Sequence, residues 1–299
     1  MSRLDELQEV VDGQVVAVGG FAITAMVDGG TDDASWRAAL CSWMDARRAA
    51  WGDRLRWAFD DRRERWRPVA RFPSITDWVN EQPLDMGFEF HLHSGEHRED
   101  AAAWSLGALV EHRWQGASGF VRVEMPASWV SEVGADGAAA EAVGLWRTTR
   151  PTHGWASFSV HRPMEGGFAA STAAGRWVLE RHGLQLDEPI SLLSMRPERQ
   201  VLAGSWLTYL DGALAARCPD LASSQGPLPI DDVGAGVVLR AGSEPQVDIV
   251  PGAPTHDALV AAARVLAPIR MMEDPSWYPP GDGRLAGPRM TAWLRRFDD

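Results

Sequence analysis

Apolar and polar positions along the chain mark out strands and helices before any other property is considered. From Val15 to Val27 the run VVAVGGFAITAMV is apolar and partly β-branched. Asp12-Gly13 and Asp28-Gly29-Gly30 bound it, so it predicts a buried strand. A helix follows, because Thr31-Asp32-Asp33 supplies an N-cap and Trp36, Leu40, Trp43, Ala46 and Ala50 recur at helical spacing through to Trp51. Met86 to His93 (MGFEFHLH) sets Phe88, Phe90 and Leu92 on one face, and Gly119 to Met125 alternates in the same way, so both read as strands. Between them, Glu99 to Arg113 has the Ala and Leu content of a helix interrupted by Gly107. Asp60 to Arg67 (DDRRERWR) mixes both signs and reads as a solvated helix end or loop.

The Ala- and Gly-rich segment from Gly134 to Pro151 suggests a join between two halves, residues 1–150 and 151–299, which together can form one continuous domain. The second half opens with a strand, Trp155 to His161, and a helix, Gly167 to His182, closed by Gly183. Two further strands are predicted over Ser205 to Leu210 and Ala235 to Arg240. An amphipathic helix follows from His256 to Leu266, with Thr255 as N-cap and Pro268 as stop. A Pro/Gly-rich stretch from Asp274 to Pro288 leads to a last short helix, Arg289 to Arg296. Strands and helices mix without regular β-α-β alternation or a Gly-rich nucleotide turn. The expected class is therefore α+β, two packed α/β halves with mainly antiparallel sheets and flanking helices.

Composition narrows the chemistry. The 29 basic residues are all arginine, so mechanisms that need a lysine amine are closed to this chain. Against them stand 41 acids, for a net charge of −12, which disfavours a nucleic-acid or membrane-surface binder and suits either solubility or a basic partner. Cys41 and Cys218 are far apart, and Met1 to Leu7 lacks the basic start and apolar core of a signal peptide. Both observations lead us to expect a cytoplasmic protein without disulfides. Six of the fifteen tryptophans fall between Trp36 and Trp78, where indoles serve as core or interface anchors.

Candidate catalytic groups are few. His91, His93 and Glu96 form the one cluster with the residue types of a Zn or Fe site. On a strand, however, both histidines would lie opposite the Phe88, Phe90 and Leu92 core face and so meet solvent. A metal-dependent enzyme built on this cluster is the alternative reading. No GxSxG elbow is present. The adjacent acids Asp60-Asp61, Asp231-Asp232 and Glu273-Asp274 diverge along the chain and read as surface groups. Gly234-Ala235-Gly236 precedes a strand and cannot aim a helix N-terminus at phosphate. We therefore expect no catalytic residues, no metal and no cofactor.

Trp206-Leu207-Thr208-Tyr209-Leu210, Gly234 to Gly242 with Glu244-Pro245, Ala267-Pro268-Ile269-Arg270 and the ending Trp293-Leu294-Arg295-Arg296-Phe297-Asp298 occur in an order that resembles the type VI secretion immunity family paired with VRR-type nuclease toxins. The resemblance is best from about Trp155 onward. It departs from the family's Gly-Asp turn at Pro245-Gln246-Val247-Asp248. It implies a cytoplasmic immunity protein that binds a cognate effector toxin and blocks it, with no direct contact to nucleic acid or membrane. A secretion-system adaptor that carries its effector is a further alternative. Trp206, Trp293 and Phe297 of the motifs are expected in the core. Asp231, Asp232, Glu273, Asp274, Trp277 and Tyr278, acids and aromatics on segments outside the core pattern, are the expected partner-binding residues.

Overall fold

A hairpin opens the molecule and sets its plan. β1 (Gln8–Val11) turns through Asp12 and Gly13, both at positive φ (52° and 82°), into β2 (Gln14–Asp28), the long apolar run. The computed structural model describes residues 3–28, 33–111, 118–164, 168–186, 200–202, 204–223, 228–271 and 288–298. After α1 (Ala34–Trp51) come β3 (Trp57–Asp60), β4 (Arg65–Pro68), the short α2 (Ile75–Asn80), β5 (Phe88–His93), β6 (Ser105–Glu111), β7 (Ser118–Pro126) and the long α3 (Ala127–Thr149). They are followed by β8 (His153–His161), α4 (Phe168–Glu180), β9 (Gln185–Leu186), β10 (Leu207–Asp211), β11 (Ile230–Asp232), β12 (Gly236–Arg240), α5 (Pro254–Leu266) and α6 (Pro288–Leu294).

Among the described residues the strands form one twelve-stranded sheet. Its order is β11-β12-β10-β8-β2-β7-β6-β5-β3-β4, antiparallel at every step, with β1 on β2 and β9 parallel to β8. The fold class is thus α+β. β2 and β8, from either side of residue 150, are neighbours from Val18↔His161 to Met26↔His153, so the two halves share the sheet.

Residues opposite one another in an antiparallel pair project to the same face. One face carries Phe21, Ile23 and Ala25 with their partners Met125, Val123 and Val121, all buried. α3 covers it, with Trp129 6.0 Å from Phe21 and Trp146 5.7 Å from Tyr209. α1 packs against α3, and Trp36 donates its indole N–H to the Thr149 carbonyl at 2.7 Å. Asp33 caps α1 by accepting from the Ser35 N–H at 2.7 Å. On the opposite face, Leu210 and Leu239 join a second cluster with Leu259, Ala262, Ala263 and Leu266 of α5 and with Phe297.

Four local expectations are corrected. Of the stretch Glu99 to Arg113 expected as a helix, the described residues 99–111 are not helical: Ser105–Glu111 is strand β6, and Leu106, Ala108 and Val110 alternate inward between β5 and β7. Ladder pairing on both sides outweighs the helix preference of Ala and Leu. Gly134 to Pro151 is largely helix, since α3 runs through to Thr149 with a kink at Gly134 (φ 74°, ψ 164°). The charged run at Asp60 is a tight hairpin between β3 and β4. Finally, α5 starts with Ala253 as N-cap and Pro254 in the first turn, where a missing N–H is harmless, and not with Thr255 as the cap.

Candidate functional site

β5 presents Phe88, Phe90 and Leu92 to the helices as expected, but the face with His91 and His93 does not meet open solvent. β3 and β4 fold past β5, and the Trp66 ring lies 5.8 Å from His91 and 4.8 Å from His93. The same face continues through Ser105 opposite His93 and Gly107 opposite His91. It then reaches Glu124 opposite Ser105 and Arg122 opposite Gly107. Arg162 and Met164, which follow β8, line the space above this row.

The row is a polar network inside the fold. The Glu124 carboxylate accepts from the Ser105 hydroxyl and pairs with Arg122 at 2.5 Å. Burial acts to raise its pKa, but Arg122, helped by His161 and Ser105, holds it below the ordinary carboxylate value. Burial pushes His91 down to about 3, reinforced by His93, and pushes His93 down to about 4. Nδ1 of His93 accepts from the Gly95 N–H at 3.1 Å, and its Nε2 lies 3.2 Å from the Arg98 carbonyl. A carbonyl can only accept, so Nε2 carries the proton and the ring has no lone pair left for a metal. Glu96 is exposed on the turn beyond. No group of three His, Cys, Asp or Glu side chains among the described residues could hold a metal ion. The arrangement ties four strands together; His93 has both ring nitrogens engaged, while the buried Nε2 of His91 has no hydrogen-bond partner among the described residues.

This network has a measurable pH signature. A histidine whose folded pKa is depressed takes up its proton more readily in the unfolded chain. Its contribution is therefore complete above about pH 6.5 and lost as pH falls toward the folded value. Urea midpoints should decline between pH 6.5 and pH 4, and His91→Gln should decline less steeply than the parent. Equal slopes would remove His91 from the titration.

The expected partner-binding residues fall in different places. Asp231 and Asp232 are exposed, but they lie in β11 at the outer edge of the sheet and not in a loop. Asp231 is opposite Val238 and Asp232 opposite Val237, so the two carboxylates project to opposite faces. Asp232 also accepts from the Gly234 N–H at 2.7 Å and so shapes the β11–β12 turn. Glu273, Asp274, Trp277 and Tyr278 lie outside the described residues. Trp206, Trp293 and Phe297 are each 2% exposed. Trp206 packs 6.1 Å from Phe21 and donates to the Gly242 carbonyl at 3.2 Å.

Asp60 is not the surface acid its sequence neighbourhood suggested. Its side chain is fully buried between Arg63 at 3.1 Å and Arg67 at 2.8 Å, and Trp78 donates to it at 3.2 Å. Glu124 and Arg122 were also missed. Their spacing of two on a predicted strand put them on one face opposite Val121 and Val123, and that was the available signal.

Residues 39–297 match the sequence model of the family described as type VI immunity for VRR-NUC. Among solved structures, a Pseudomonas aeruginosa T6SS protein is similar to this chain, with a TM-score of 0.84 at 18% identity. The match covers 95% of this chain and 83% of that one. No curated protein matches. No helix among the described residues is long and apolar enough to cross a membrane.

Proposed function

Because the chain belongs to the family of type VI immunity proteins for VRR-NUC, we propose that it neutralises a cognate nuclease effector by binding it and covering its DNA-binding or catalytic face, without turnover of a substrate. The observation that carries this reading is the acidic balance of the chain, a net charge of −12. Of the 29 arginines, Arg37 is buried and donates to the carbonyls of Pro83 and Leu84 at 3.1 and 2.7 Å and to that of Met86. Arg48 donates likewise to the carbonyls of Val69 and Phe72 at 3.2 and 2.9 Å and to that of Pro73. Other arginines, Arg54, Arg62, Arg65 and Arg71 among them, stay exposed, but 41 acids stand against the 29 arginines, and Asp231, Asp232, Glu244 and Asp248 are exposed.

A surface of that sign repels DNA and complements a face built to hold phosphates. His91 and His93 are held neutral by burial and Glu124 is paired with Arg122, which suits a rigid binder better than an acid–base catalyst. Asp231 and Asp232, and from the sequence Glu273, Asp274, Trp277 and Tyr278, are proposed contacts, and the cytoplasm of the producing cell is the proposed site of action.

Steering of this kind is screened over a Debye length of about 10 Å at 0.1 M salt. Association with a catalytically inactive form of the cognate nuclease should therefore slow steeply as salt rises, while dissociation changes less. The double variant Asp231→Arg, Asp232→Arg should slow association several-fold in stopped-flow measurements. An association rate indifferent to salt would defeat the electrostatic reading.

A further inference from the structure

A cleft of about 930 Å³ opens where the N-terminal turn, α3, β8, the end of α4 and the 244–248 segment meet. Its size falls within the range of roughly 300–1,000 Å³ typical of pockets that enclose a ligand. Leu4, Val130, Phe158 and Val247, all buried side chains, form a small apolar floor, while most of the accessible lining is polar. Its rim is acidic, with Glu180, Glu244 and Asp248 exposed. The one guanidinium of the described lining, Arg181, pairs with Glu180 at 3.3 Å. Two exposed apolar side chains sit next in chain to this lining, Val133 beside Gly134 and Val250 just beyond Asp248, 42% and 64% exposed.

The walls are held in place before any partner arrives. Gly134 lines the cleft at φ 74°, so α3 bends there and does not run straight across the opening. The 244–248 segment is tied to the turn after α4 by a Gly183 N–H to Val247 carbonyl bond at 3.0 Å. A side chain at Gly183 would collide with that backbone. On the other side, Asp5 accepts from the Ser128 N–H at 2.9 Å and pins the N-terminal turn to the start of α3.

We propose that this cleft is the docking site for an arginine- or lysine-bearing segment of the nuclease, a proposal that rests on the inhibitory reading above. The long aliphatic stem of such a residue lies along the apolar floor while its cationic head reaches Glu244 and Asp248. Val133 and Val250 supply apolar contact beside the charged rim, and the preformed walls reduce the ordering that binding requires. A cation captured here is withheld from the phosphates it would otherwise hold, so occupancy of the cleft itself competes with DNA.

The test uses the full chain and a catalytically inactive form of its cognate VRR-type nuclease, titrated by calorimetry. Glu244→Arg with Asp248→Arg should weaken binding by about tenfold or more. Ala135→Trp, which fills the cleft from a helical position, should weaken it at least as much. Melting temperatures identify any variant that fails to fold. In that event hydrogen exchange on the unaltered complex decides, with protection of residues 131–135 and 244–248 expected. Undiminished affinity in folded variants, or unprotected cleft amides in the complex, would overturn the proposal while leaving inhibition intact. A parent protein that fails to bind the nuclease at all would overturn the functional reading itself.

Discussion

Phe297→Ala should lower stability by about 3–5 kcal/mol, the range for removing a large buried aromatic. Phe297 is 2% exposed and belongs to the cluster that joins α5 to Leu210 and Leu239. His256 meets its ring edge-on at 6.0 Å, and the Arg296 guanidinium lies 4.7 Å from its centre. The opposing backbone is fitted to it closely: a side chain at Gly204, which has φ 85°, would strike the Phe297 ring. A cavity left there cannot be filled from that side by a small shift. Trp293→Ala should behave similarly, since the indole is equally buried and stacked by Arg296 at 4.0 Å. Thermal melting should show a drop on the order of 10 °C for either variant. Unchanged melting combined with lost protection against the nuclease would instead assign these residues to the partner interface.

Glu124→Ala should be comparably damaging, at about 3–5 kcal/mol, because it removes the carboxylate from a buried ion pair and leaves the Arg122 charge behind. Glu124→Gln keeps the shape and an acceptor for the Ser105 hydroxyl, so a smaller loss is expected. The two variants separate charge from packing. The pH dependence follows from the depressed carboxyl pKa of Glu124 in the fold. A depressed carboxylate stabilises the folded state above its unfolded value of about 4.3. That contribution disappears as pH falls through the folded value. The stability gap between the parent and Glu124→Gln should therefore be full at pH 7 and shrink below about pH 4. A gap that stays constant into acid would mean that the carboxylate charge contributes nothing there.

Patterning made the strands on either side of the sheet's centre legible. β2 reads as an unbroken apolar run because it is buried on both faces, whereas in β5 and β7 period two survives in the sequence because one face packs on the helices. α1 and α5 announced themselves through helical spacing for the same reason. The family resemblance rested on short motifs of the second half, and there Trp206, Trp293 and Phe297 are large aromatics within the two cores. β6 was misread because Ala, Leu and Gly carry little strand preference. It is a strand because β5 and β7 flank it, a condition that no window of fifteen residues contains.

The site followed the same division. Net charge, the absence of lysine and the order of the C-terminal motifs were properties of the chain alone, and they pointed to a binder of a basic partner. Which acids face outward was not. Asp60 and Asp231 look alike in sequence, yet one is enclosed by Arg63 and Arg67 and the other lies on the outermost strand. His91 and His93 became interior groups because β4, 25 residues earlier, folds Trp66 across them. The cleft is assembled from five segments between Leu4 and Asp248. Local sequence determines propensity and the sign of charge. Burial, pKa and concavity depend on which distant segments are brought together, and that only the tertiary structure decided.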